Sequence, residues 1–280
     1  MNYNSVCIVG YGSIGRRHHS VLSDLLDRST NYTIVDLNTE VKLKDVVNIK
    51  FDILVICTPS NSHLDILKKF NKRPELVFVE KPLDASLEKI NAFREQKNSF
   101  LKKIHVGSNL RYTEAYRKLK NVALRGKIFD VCAMSYLPDW RPDIDWKENY
   151  SANKKMGGGV VLDFVHEPDV ISSVLGYPDL THAVEKRIFE NVTVDSTDTA
   201  FLLWEYKDKC VSFRLSYGSR GYNRYIDIID EKGISERIVF TKEDIDMSYK
   251  EQWVRILKNG PETTFEHTLN LMTILLRGEL

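Results

Sequence analysis

The sequence predicts an α/β chain of two domains. An N-terminal doubly wound parallel sheet spans 1–110, and an α+β domain with a large, mostly antiparallel open sheet spans 111–280. Three observations carry this. Through the first hundred residues short apolar runs alternate with helical patterns, which builds a parallel sheet with right-handed crossovers. A glycine-rich hexapeptide, Gly10-Tyr11-Gly12-Ser13-Ile14-Gly15, joins the first run to the first helix. From about residue 109 the order changes to helical segments followed by successive strand-like runs with turn residues between them.

The first strand is Ser5–Val9, and Ile14, Val21, Leu22, Leu25 and Leu26 mark the apolar side of the helix that follows. Strand, G-x-G-x-x-G and helix in that order build a pyrophosphate site. Gly10 permits the tight turn, Gly12 lets a phosphate approach the backbone, and Gly15 lets helix and strand pack closely. The helix N-terminus adds N–H groups and partial positive charge. A second strand, Tyr32–Val35, ends in Asp36, placed to meet a ribose 2′-hydroxyl and to repel a 2′-phosphate, so NAD is expected over NADP. Arg16 and Arg17 either help neutralise phosphate or are solvated.

A buried strand at 51–57 is broken by Thr58-Pro59-Ser60-Asn61, and a helix follows from His63 to Phe70. Strand 76–79 ends at Glu80-Lys81-Pro82. Ser86 caps a helix running to Gln96, and 104–107 forms one more strand. Gly10, Asp36, Thr58 and Lys81 all fall at C-terminal strand ends, where ligands of such sheets bind. The second domain reads as a helix at 113–124, a strand at 129–137, and a loop at 138–156 holding Trp140, Arg141, Trp146, Lys147, Tyr150, Lys154 and Lys155. Gly157-Gly158-Gly159 then opens a helix at 160–175. Strands follow at 183–189, 199–206, 211–217 and 225–229, with a closing helix at 266–276.

The 40 basic and 39 acidic residues leave a net charge of +1, which gives no electrostatic case for nucleic acid or an anionic membrane as partner. No apolar run is long enough to span a bilayer, and no secretory pattern is seen. Cys7, Cys57, Cys132 and Cys210 are far apart and read as reduced, so a cytoplasmic chain without a structural metal is expected. The open face of the second sheet predicts a homodimer or homotetramer.

Lys81, at the end of a buried strand and aimed by Pro82, can serve in proton transfer. Asp163, His166 and Asp169 recur every third residue and would share one face of a single helix.

These residues resemble the Gfo/Idh/MocA oxidoreductases, the family of glucose–fructose oxidoreductase and inositol dehydrogenase. The matches are residues 10–15, Thr58-Pro59-Ser60-Asn61-Ser62-His63, Glu80-Lys81-Pro82 and 157–169, in the family's order. The resemblance implies NAD(P)-dependent hydride transfer at a secondary alcohol of a sugar or cyclitol. Lys81, Asp163 and His166 would be catalytic, with either Lys81 or His166 taking the hydroxyl proton. Gly10, Gly12, Ser13, Ile14, Gly15, Asp36, Thr58, Pro59, Asn61, His63, Glu80 and Lys81 would surround the cofactor, although His63 could instead cap its own helix. Asn109, Arg111, Tyr112, Trp140, Arg141, Tyr150 and Asp169 would face the substrate. Many members carry Asp-x-x-x-His, whereas Asp163-x-x-His166 resembles a branch linked to nucleotide-sugar pathways, which points to a nucleotide-linked or acidic sugar. Two alternatives are a redox-silent sugar or nucleotide sensor, and an NAD-dependent glycosidase or eliminase with transient oxidation.

Overall fold

The computed structural model describes residues 3–95, 99–140, 142 and 144–277. The chain forms two compact units. Residues 1–108 and 249–270 make the first, and 109–248 with 271–280 make the second. Residues 249–270, expected in the second domain with the rest of 111–280, fall instead in the first unit.

The first unit runs β1 (Ser5–Val9), α1 (Ser13–Leu25), β2 (Asn31–Val35), α2 (Leu43–Val46), β3 (Ile53–Ile56), α3 (His63–Lys69), β4 (Leu76–Val79), α4 (Leu87–Arg94) and β5 (Ile104–Val106). All pairings are parallel, in the order β2-β1-β3-β4-β5. The chain reverses direction across the sheet between β1 and β3, the switch point where doubly wound sheets bind ligands. β3 and β4 are buried at every position, which explains their unbroken apolar sequences. Ser86 caps α4 by accepting a hydrogen bond from the Lys89 N–H.

The second unit continues with α5 (Glu114–Val122), β6 (Gly126–Tyr136), α6 (Val160–Asp163), α7 (His166–Leu175), β7 (Leu180–Lys186), β8 (Thr199–Tyr206), β9 (Lys209–Ser216), β10 (Gly218–Asp230) and β11 (Ser235–Val239). Its sheet has the order β11-β10-β6-β9-β8-β7 and is antiparallel except between β6 and β9. Residues alternate along β8, with Leu202 and Trp204 inward and Phe201 and Leu203 exposed.

Two helices close the chain, α8 (Lys242–Asn259) and α9 (Phe265–Arg277). The second half of α8 completes the first unit's core. Trp253 and Ile256 are fully buried among Val6, Ile8, Leu22, Val55 and Phe78, and the Trp253 ring stacks on Phe78 at 4.8 Å between centroids. Among the described residues, no helix is long and apolar enough to cross a membrane.

The single helix expected over 160–175 is two helices, which overturns the shared-face argument for Asp163, His166 and Asp169. Pro168 is the physical cause. It lacks an N–H, and its ring excludes a continuous helix through the turn before it. The chain breaks at Phe164 and Val165, Pro168 becomes the third residue of α7, and the Asp169 N–H donates to the Val165 carbonyl at 3.0 Å.

Candidate functional site

The glycine turn follows β1 and presses against the end of β3. Gly10 has φ +91°, and a Cβ there would lie 2.6 Å from the Cys57 carbonyl carbon. A Cβ on Gly15 would lie 2.1 Å from the Gly10 oxygen, so helix and turn touch through bare backbone. Gly12 differs, because a Cβ there would meet nothing within 4 Å. It is the N-cap of α1, with no side-chain cap and no acid in the first turn, which holds Ser13 and Ile14. An uncapped helix N-terminus with no acid in its first turn, beside open space, fits an anion such as a pyrophosphate.

Asp36 stands at the end of β2. Its Oδ2 accepts from the Tyr11 N–H at 2.6 Å, and Thr39 Oγ1 donates to its carbonyl at 3.0 Å. The carboxylate is thereby fixed beside the glycine turn, where the acid of a dinucleotide site belongs. After β3, Ser62 Oγ donates to Thr58 Oγ1 at 2.8 Å, and Lys89 Nζ donates to the Asn61 carbonyl at 2.7 Å, which hold the turn that contains Pro59.

Lys81, half-buried, leaves the end of β4, followed by a cis peptide to Pro82. Glu80 is engaged within the fold through both carboxylate oxygens. Its Oε1 accepts from His18 Nε2 at 2.8 Å, and its Oε2 accepts from the Lys81 N–H at 3.1 Å. His63 neither lies open to a ligand nor caps its helix. It is buried, with Nδ1 2.9 Å from the Pro82 carbonyl and Nε2 2.8 Å from the Thr58 carbonyl, so it straps the two turns together. Burial lowers its pKa, although both carbonyls favour the protonated ring.

In the second unit, Asp163 ends α6 and is buried. Tyr217 donates to its Oδ2 at 2.6 Å and Tyr150 to its Oδ1 at 3.0 Å. Gly158 makes this possible, since a Cβ there would lie 2.3 Å from the Tyr150 carbonyl oxygen. Burial, then the Asp163 charge, push the Tyr217 hydroxyl well above its ordinary pKa. Trp140 packs edge-on against Tyr217 at 5.5 Å and Phe164 at 6.0 Å, donates from Nε1 to Ser135, and stays 38% exposed. A fixed carboxylate, a half-buried phenol and an exposed indole therefore share one cluster. His166 is buried at the start of α7.

Several expected substrate residues are engaged within the fold. Arg111 forks onto Asp169, with Nε to Oδ2 at 2.7 Å and Nη2 to Oδ1 at 2.6 Å. Asn109 donates to Ser248 Oγ at 3.0 Å, and Tyr112 is buried. Arg141 lies outside the described residues. Among the described residues, no group of three His, Cys, Asp or Glu side chains is placed to hold a metal ion. The sequence alone does not single out His18, Tyr217 or Trp253. His18, three residues after Gly15 on an apolar helix face, was the available signal.

Residues 4–108 match the family model described as the oxidoreductase family, NAD-binding Rossmann fold, of the Gfo/Idh/MocA proteins. The chain is similar to the Gfo/Idh/MocA oxidoreductases, and the family match lies in its first unit. It is an NAD-dependent enzyme, and the glycine turn, the bare α1 N-terminus and Asp36 fit that cofactor. Similarity also extends past the first unit. Inositol 2-dehydrogenase of Rhizobium meliloti is 23% identical over 250 residues, covering 81% of this chain and 73% of the relative. The crystal structure of a myo-inositol dehydrogenase from Corynebacterium glutamicum superposes with a TM-score of 0.79 at 16% identity, covering 99% of this chain and 95% of that one. That of scyllo-inositol dehydrogenase from Lactobacillus casei, with NAD(H) and scyllo-inositol bound, gives 0.73 at 18% identity over 99% and 95%.

Proposed function

We propose that the protein oxidises a secondary alcohol of a neutral cyclic polyol. Bound NAD would accept the hydride. Lys81 Nζ takes the hydroxyl proton, with His166 as the other candidate for that step. Asp163, held by Tyr150 and Tyr217, accepts hydrogen bonds from neighbouring hydroxyls, and Trp140 covers the apolar face of the ring. Gly10, Gly12, Ser13, Ile14, Gly15, Asp36 and the turn at Thr58, Pro59 and Asn61 hold the cofactor.

The observation that carries the neutral substrate is the pairing of the nearby cations. Arg111 is forked onto Asp169, and Arg224 is paired with Glu167 at 2.5 Å, so neither is left to bind a phosphate or carboxylate. The inositol dehydrogenases among the relatives support the same class. A nucleotide-linked or acidic sugar is the second reading, favoured by Lys154 and Lys155, exposed on the turn before Gly157. NADH formation should be measured with inositols, glucose, glucuronate and nucleotide sugars. Turnover of inositols is expected. Turnover of nucleotide sugars alone would establish the second reading, and cofactor binding without any NADH formation would leave a redox-silent binder. Lys81→Met should lower kcat by roughly 100-fold or more with NADH affinity unchanged. Turnover within a few-fold of the parent would move the proton to His166.

Self-association is proposed through the outer face of the second sheet, where Ile128, Val184 and Phe201 are exposed. Sedimentation should show a dimer or tetramer that Phe201→Glu dissociates. A monomeric parent would end this idea.

A further inference from the structure

Deep in the first unit, three side chains form a line that the proton-transfer chemistry itself does not require. Trp253 Nε1 lies 2.8 Å from His18 Nδ1, and His18 Nε2 lies 2.8 Å from Glu80 Oε1. The other Glu80 oxygen accepts the backbone N–H of Lys81 at 3.1 Å. Trp253 and His18 are fully buried and Glu80 nearly so.

Donor chemistry orders the line. An indole N–H can only donate, so His18 Nδ1 is the acceptor and its proton sits on Nε2, facing the carboxylate. Glu80 therefore receives a donor at each oxygen. It has little room to turn away, since a Cβ on Gly107 would lie 3.3 Å from its Oε2. The imidazole is itself boxed by rings, with Phe78 at 4.6 Å, Trp253 at 5.8 Å and Tyr249 at 5.9 Å. Packing alone asks only for rings of this size. The matched sequence of donors and acceptors, ending on one backbone amide, asks for more.

We infer that His18 and Trp253 are positioning residues for Lys81, acting through Glu80: the relay fixes the backbone at the start of the Lys81–Pro82 turn and so the origin of the Lys81 side chain. Buried polar groups of this kind contribute only when every member is satisfied. The inference rests on the proposed role of Lys81 in proton transfer, but its first measurement does not.

That measurement is amide exchange at Lys81 in cofactor-free, ¹⁵N-lysine-labelled protein, with the resonance assigned by Lys81→Arg. Trp253→Phe keeps a ring against Phe78 and removes one donor. His18→Leu removes both middle contacts. His18→Gln can still donate to Glu80 and accept from Trp253. Exchange at Lys81 should rise about 10-fold or more in Trp253→Phe and His18→Leu, and return to within a few-fold of the parent in His18→Gln. Unchanged exchange in Trp253→Phe, with its melting temperature near that of the parent, overturns the inference whether or not any polyol is turned over.

The second measurement is kinetic. His18→Leu should lower kcat by about 10-fold to 100-fold with KM and NADH affinity nearly constant. Added to Lys81→Met, the same change should cost less than about 2-fold, because groups acting as a unit are not additive. Losses that multiply in the double variant would reduce His18 to a fold residue. If His18→Leu does not fold, the Trp253→Phe and His18→Gln pair decides both measurements.

Discussion

Gly12→Ala should separate folding from cofactor binding. Gly12 has φ −70°, which any residue adopts, and an added methyl would enter open space. The folding cost is limited to the poorer N-cap, on the order of 1 kcal/mol or less. For a protein of this size that is a fall in Tm of about 2–4 °C. The same methyl lies where a pyrophosphate must approach the α1 N-terminus. Holding the phosphate off removes one or two hydrogen bonds to a charged group, each worth about 1.5–3 kcal/mol, so NADH affinity should fall by about 10-fold to about 10⁴-fold. The controls behave oppositely. Gly15→Ala places a methyl 2.1 Å from the Gly10 oxygen, and Gly10→Ala places one 2.6 Å from the Cys57 carbonyl carbon. Both should lower Tm strongly, as overpacking against backbone does. Thermal melts and calorimetric titration with NADH test all three. A folded Gly12→Ala protein that binds NADH within 2-fold of the parent would refute the pyrophosphate cradle. A Gly12→Ala protein as unstable as Gly15→Ala would refute the open space.

Further outcomes are expected. NADPH should bind at least about 10-fold more weakly than NADH, because Asp36 is held in place by the Tyr11 N–H, and calorimetry showing tighter NADPH would remove Asp36 from that role. Tyr217→Phe should cost about 1.5–3 kcal/mol, as it strips a donor from a buried carboxylate, whereas Tyr150→Phe, half-buried, should cost less than about 1 kcal/mol; urea melts giving the reverse order would contradict the Asp163 geometry. Stability should fall as pH rises above 9. Burial pushes the Cys7 thiol up to about 12 and raises the Tyr217 hydroxyl, so the folded state keeps protons that the unfolded chain releases. Each group then removes up to about 1.4 kcal/mol per pH unit, and Cys7→Ala should flatten the slope between pH 9 and 10.

The parts of this protein that sequence reveals are those whose chemistry is local. A glycine turn between strand and helix, continuous apolar runs such as Ile53–Ile56, and Ser86 before α4 each state their own structure. β11 did not, because only Ile238 of its five residues is buried and no alternation survives. The break between α6 and α7 was masked by the mostly apolar stretch from Val160 to Val165, interrupted only by Asp163, although Pro168 carried the signal. Side-chain roles were least legible. Arg111 and Asp169 each look like a ligand contact in isolation, and only the fold brings them together. His63 follows the turn at Thr58 as the motif suggests, yet its ring serves two carbonyls. Nothing near His18 in sequence announces Trp253, 235 residues away.

That distance also orders the protein's birth. A ribosome completes Ser108, and with it the last strand of the parallel sheet, roughly 145 residues before it adds Trp253. At ~5–20 residues per second the nascent sheet waits on the order of ten seconds for the ring that stacks on Phe78 and the donor that orients His18. During that interval the whole second sheet is made. The nucleotide-binding half is thus first to begin translation yet is finished only after the second sheet, and a ribosome stalled before α8 would release a chain lacking the indole that closes its first core.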